Sequence, residues 1–224
     1  MYRRIRGDIL GARLVPGARL KFPELCDNYG VSVGAAREAL TRLAGEGLVT
    51  TQAHHGYMVS PLSHSDLADL THARVEIESL VLRLSVEEGD VLWESRVVAA
   101  HHVLERAPFV DPEDPDHPTD QWAAAHAEFH GALLAGCTNR RLLDTAQALR
   151  EEAELYRQWS VSFGQEPDRD IAGEHRALLE AAIGRRAEEA ASLLREHIAH
   201  TAKLLISVAV DAPSPAQERP RRAG

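Results

Sequence analysis

Residues 30–60, GVSVGAAREALTRLAGEGLVTTQAHHGYMVS, decide how the first part of the chain folds. Gly30 ends a preceding helix near Tyr29, and Ser32 offers an N-cap side chain to a helix running to about Glu46. Ala36, Ala39, Leu40 and Leu43 recur at helical spacing and mark its buried face, and Gly47 closes it. Residues 48–51 and 57–60 are strand-like in composition and are joined through 52–56. Working back, Ile5, Ile9 and Leu10 among arginines predict a short amphipathic helix over 2–11. Val15-Pro16-Gly17 predicts a turn, and Pro23 suits the first turn of the second helix. Three helices and a β-hairpin within 60 residues make a winged helix-turn-helix.

Beyond Pro61 the pattern becomes helical almost throughout, opened by the N-cap Ser63. It predicts helices near 64–88, 90–107, 120–136, 140–163, 169–183 and 186–209, with breaks at Gly89, Gly136, Gly164 and Gly184. The stretch 108–119, rich in proline and acids, reads as a loop. The expected fold class is mostly α: a winged helix-turn-helix over 1–60, an all-α antiparallel bundle over 61–210, and a disordered tail over 211–224.

Composition narrows the function. The chain has 224 residues, 44% hydrophobic and 26% charged, as a folded globular protein does. No apolar run is long enough to span a membrane, and no apolar signal region follows the basic start, so a cytoplasmic protein is expected. Two cysteines, Cys26 and Cys137, exclude a disulfide framework and any cysteine-based zinc finger. An aromatic content of 5% argues against a platform for stacking single strands. Residues 1–60 carry eight Lys/Arg against five Asp/Glu, whereas the remainder carries 17 against 29. A small basic domain joined to a strongly acidic one implies different partners for the two.

In a helix-turn-helix the second helix enters the major groove with its N-terminal residues on base edges. That places Val33, Gly34 and Arg37 nearest double-stranded DNA, with Ser32 and the exposed helix-start amides near a phosphate. Gly56 lets the wing tip approach closely, with His55 beside it. Arg37 has no acidic neighbour three or four residues away, so an intrahelical ion pair is not expected for it.

The second region is rich in histidine. His126 and His130, at i and i+4, share one helix face, while Glu128 points about 200° away and cannot serve as a base over the same ion. His175 lies on a later helix, and His197 and His200 on the last one. Three helices of one bundle can aim four such imidazoles at a common centre suited to a divalent transition metal, zinc or nickel above all. Core packing is the alternative for these side chains. The other histidines, His101 among them, read as surface or loop residues. Nothing resembles a nucleophile elbow or a phosphate loop, so no catalytic residue is assigned; a metalloenzyme is the rival reading, and a purely structural metal a third.

The stretch Gly30-Val31-Ser32, Arg37-Glu38-Ala39-Leu40, Glu46-Gly47-Leu48-Val49 and His55-Gly56, with Pro16-Gly17-Ala18-Arg19-Leu20 before it, resembles the GntR family of bacterial transcription regulators. Residues 64–209 resemble the FCD-type domain of the FadR subfamily, through Arg74-Val75-Glu76-Ile77-Glu78, Phe129-His130, Ala135-Gly136-Cys137-Thr138-Asn139 and Glu174-His175-Arg176-Ala177-Leu178. The resemblance implies a homodimeric regulator, acting as a repressor, that holds operator DNA and answers to a small carboxylate. It implies a metal held by one aspartate and three histidines. His130, His175 and His197 fall on the histidine positions, and His126 falls where the aspartate usually stands; His200 is the fallback for His197. Arg74 falls where an arginine commonly reaches the effector pocket, although an i,i+4 salt bridge to Glu78 is an equal reading. Tyr156 and Arg157 are further candidates to line that pocket. Val33, Ala35 and Pro23 depart from the family's commoner basic residue, proline and arginine. Within the subfamily the chain is most similar to glutarate-responsive carbon-starvation repressors, which implies a short dicarboxylate effector.

Overall fold

The computed structural model describes residues 1–10, 13–52, 56–61, 63–111, 114–163 and 169–211. The N-terminal part contains α1 (Tyr2–Leu10), β1 (Arg19–Leu20), α2 (Phe22–Tyr29), α3 (Val33–Gly45), β2 (Val49–Gln52) and β3 (Gly56–Val59). Ser32 Oγ accepts from the Ala35 amide, so α3 starts where the cap residue predicts. Gly30 ends α2 in the left-handed conformation, at φ 65°, which a side chain would resist. Ile5, Ile9, Leu25, Leu40, Leu43, Leu48 and Val59 close one apolar core beneath the wing.

The wing differs from the expected hairpin by a third strand. β1 pairs antiparallel with β3, Leu20 opposite Tyr57, giving the order β1-β3-β2. Two residues are too few for alternation to show in a sequence.

The second part contains α4 (His64–Glu88), α5 (Val91–Arg106), β4 (Val110–Asp111), β5 (Asp114–Pro118), α6 (Asp120–Leu134), α7 (Arg140–Phe163), α8 (Ile171–Ile183) and α9 (Ala187–Asp211). Helix α4 packs on α7 and α9, and α5 packs on α6 and α8. Between them lies a core of Leu82, Trp93, Val97, Phe129, Leu133, Leu178 and Leu194. The stretch expected to be a loop instead pairs β4 with β5, and Thr119 closes its base by donating to the Phe109 and Pro108 carbonyls. Proline-rich composition hid a short pairing that needs few ladder bonds. The expected disordered tail falls on 212–224, outside the described residues, apart from Asp211, which ends α9.

Two side chains lock the bundle's turns. Ser85 Oγ donates to the Leu134 carbonyl and accepts from the Cys137 amide, both buried, which fixes α4 against the end of α6. Gly136 permits this approach, because a Cβ there would lie 2.5 Å from the Ser85 carbonyl oxygen. Arg185, at φ 58°, donates to the Val86 and Gly89 carbonyls and pairs with Glu94. It thereby satisfies carbonyls at the end of α4 that the helix leaves open.

Candidate metal centre and DNA-reading surface

One turn separates His126 from His130 on α6, so both rings leave the same face of that helix. His175 on α8 and His197 on α9 face them, and all four are buried. One ring nitrogen from each lies within 4.8 Å of the others. His130 Nε2 and His175 Nε2 are 3.3 Å apart. A tetrahedral site with bonds of about 2.0–2.1 Å sets its nitrogens roughly 3.3 Å apart, so the His130–His175 pair already has the spacing of two ligands of a zinc-like ion. Trp122 stacks on His126, and Phe129 meets His175 edge-on, which closes the cluster to water on two sides. His200 is half-exposed and lies outside the cluster.

Burial holds three of these rings neutral. Desolvation drives His130 well below its usual range, lowers His197, and pushes His175 down to about 2. A neutral imidazole keeps the lone pair that a metal needs. Glu174 stands behind His197, its Oε2 2.6 Å from Nδ1. Arg169 grips the same carboxylate with two bonds, of 2.8 and 2.7 Å. Burial pushes the Glu174 carboxyl up, but the hydrogen bonds from Arg169 and His197 outweigh it and leave it well below the usual carboxylate range. His101, expected at the surface, is instead buried edge-on against Phe129, because α5 turns that face toward α8.

Arg74 forms the anticipated pair with Glu78, Nε to Oε1 at 2.6 Å. Glu78 is only 1% exposed, and its Oε2 has no hydrogen bond. Arg150 of α7 lies 3.8 Å from that oxygen. Arg74, Tyr156, Thr71, Ala153, Ile198 and Thr201 line a cavity of about 10 Å³ between α4, α7 and α9. Tyr156 OH donates to Asp66 Oδ2 at 2.6 Å and so closes one wall. The Arg157 side chain lies outside the described residues. Arg150, Arg169 and Glu174 were not anticipated. No helical period marks Arg150, whose glutamate neighbour Glu78 lies on α4.

At the other end of the molecule, Val33, Gly34 and Arg37 are exposed at the start of α3. The Arg37 guanidinium lies over the Phe22 ring, 5.1 Å from its centroid. Phe22 in turn meets Tyr57 of the wing edge-on, and Thr41 and Tyr57 share a hydrogen bond of 3.2 Å. Recognition helix and wing thus form one continuous surface. Gly56 opens β3 at φ 79°, and His55 lies outside the described residues. No helix among the described residues is long and apolar enough to cross a membrane.

A winged helix-turn-helix carried on a helical domain is the architecture of a transcription regulator. Residues 1–59 match the bacterial regulatory proteins of the gntR family and residues 69–200 match the FCD domain, so this chain belongs to the GntR family with an FCD C-terminal domain. It is 39% identical over 197 residues to the HTH-type transcriptional regulator BphR of Paraburkholderia xenovorans, spanning 88% of this chain and 80% of that one. It is 32% identical over 200 residues to the HTH-type transcriptional repressor GlaR of Escherichia coli, spanning 88% and 90%. The fold is also that of E. coli McbR/YncC, with a TM-score of 0.75 at 18% identity over 92% of this chain and 95% of that one.

Proposed function

We propose that this regulator is a metal-dependent repressor that works as a homodimer in the cytoplasm. Its winged domains hold operator DNA until a small carboxylate, a short dicarboxylate such as glutarate, binds in the FCD domain. The observation that carries the reading is the set of four buried, clustered imidazoles, His126, His130, His175 and His197, which would hold a divalent zinc or nickel ion. When bound, that ion supplies an uncompensated positive centre able to take a carboxylate oxygen.

The chain's own residues then select and respond to the anion. Four imidazoles bring no negative charge, so an anion is favoured more than it would be beside an aspartate. Arg74 exchanges Glu78 for a ligand carboxylate, and Arg150 lies close enough to the same glutamate to share in the exchange. A cavity of about 10 Å³ holds about one water, so a dicarboxylate enters only as α4, α7 and α9 part. Parting those helices breaks the Tyr156–Asp66 bond. Helix α7 also touches the DNA-binding part: a Cβ on Gly47, just past α3, would lie 2.7 Å from Glu152 Oε1. Movement of α7 therefore reaches the end of the recognition helix. Effector and DNA weaken each other by the same factor under this scheme.

At the DNA, Arg37 pairs with a base edge, exposed Val33 suits a thymine methyl, Ser32 and the α3 amides take a phosphate, and Gly34 and Gly56 allow close approach. His55 would join them from the wing. Exposed Val91, Leu92, Val98 and Val103 on α5 are apolar surface of the kind that a second copy covers.

The tightness of the cavity favours one second reading, a metal that only stabilises the fold. Thermal melting separates the two. Zinc and glutarate each raise the melting temperature under the effector reading, and glutarate then releases operator DNA. Stabilisation by zinc alone, with every short mono- and dicarboxylate inert, would support the structural metal.

A further inference from the structure

A histidine ligand has two ring nitrogens, and an imidazole left to itself in water keeps its neutral-form proton mostly on Nε2. For His197 that is the nitrogen left over for the cluster, because Nδ1 faces Glu174 Oε2 at 2.6 Å. An ionised carboxylate only accepts, so Nδ1 must carry the proton and Nε2 the lone pair. The carboxylate itself has little freedom. Arg169, whose side chain is 6% exposed, grips both oxygens and donates from both terminal nitrogens to Thr201 Oγ1 at 3.2 Å. Thr201 Oγ1 donates to the backbone carbonyl of His197 at 3.0 Å. The circuit therefore closes on the residue that it orients. His200 Nδ1 lies 4.0 Å from the other Glu174 oxygen, so the carboxylate has two histidines in reach and bonds to one.

We propose that Glu174 is a positioning residue for the histidine centre: held by Arg169 and Thr201, it fixes the tautomer and ring plane of His197 and so makes His197, not His200, the ligand from α9. This rests on the metal reading above for its effect on affinity, but not for its effect on the tautomer. Arg169 offsets the Glu174 charge, so the centre keeps its preference for an anion while gaining a fixed fourth nitrogen. A partner behind a ligating imidazole typically changes metal affinity about 10–100-fold.

Two readouts test it, on the full-length protein. Long-range ¹H–¹⁵N spectra of the metal-free protein at mildly alkaline pH report the His197 tautomer. Chelator competition reports the zinc dissociation constant. The wild type is expected to show His197 protonated on Nδ1. Glu174→Ala shifts it toward the Nε2-protonated form and weakens zinc about 10–100-fold. Glu174→Gln keeps the shape and one acceptor oxygen, and gives a smaller loss of zinc affinity; it carries the test if the alanine variant does not fold. A wild type that binds no zinc but shows the tautomer shift on substitution supports the positioning role and removes the metal. An unchanged tautomer, with zinc affinity within about twofold in both variants, overturns the proposal.

Discussion

His126 sets the charge of the histidine centre, because it stands where the resemblance implies an aspartate. A carboxylate there would cancel one positive charge only a few ångströms from the bound anion. His126→Asp should keep a metal and weaken glutarate binding to the zinc-loaded protein by about tenfold or more. Calorimetric titration of glutarate checks this, and tighter binding would contradict it. Arg37 is the corresponding residue in the proposed DNA contact. Arg37→Ala should cost about 1–3 kcal/mol of operator discrimination while leaving thermal stability nearly unchanged. Fluorescence anisotropy at fixed salt, against operator and unrelated DNA, measures the difference. The four histidines and the Arg74–Glu78 pair were legible because each shows as spacing on one helix or as residues on separate helices of one bundle. Glu174 and Arg150 were not, because their partners come from other helices and no local period marks them.

The helices were legible almost residue by residue, since glycine breaks and serine caps bound long periodic runs. Ser32, Ser63 and Gly30 cap as their chemistry dictates. Strands β1 and β4–β5 were not legible, because a two-residue strand has no alternation to read and prolines mask a pairing. How the helices are held also escaped the sequence. Gly136 reads there as a break, yet its role is to admit the Ser85 backbone. Gly136→Ala should therefore destabilise by about 1–3 kcal/mol, as overpacking does. Arg185→Ala removes donors to two carbonyls at the end of α4 and should lower the melting temperature by several degrees, about 2–4 °C per kcal/mol. Thermal denaturation followed by circular dichroism reads both, and an unchanged midpoint in either would contradict the account of that turn.

Across the whole molecule, the histidine centre couples stability to pH. Burial holds His130, His175 and His197 uncharged in the metal-free fold, with pKa values below the ordinary 6.5. The unfolded chain protonates these rings below about pH 6.5 and the folded one does not, so the unfolded state binds more protons there. Stability of the metal-free protein should be intact above about pH 6.5 and fall as the pH drops toward about 5. A flat melting profile across that window would contradict the buried, neutral cluster. In the proposed scheme, communication with the DNA-reading end runs through α7, whose Glu152 lies against Gly47. Glu152→Ala should leave glutarate affinity within about twofold but shrink the effect of glutarate on DNA affinity, a coupling of about 1–3 kcal/mol in the intact protein. The most direct measurement is elemental analysis of the purified protein beside a His130→Ala/His175→Ala variant. About one transition metal ion per wild-type chain is expected, as a single site holds, and little or none in the variant. No metal in the wild type, and no uptake of added zinc or nickel, would contradict the centre on which the proposed regulation depends.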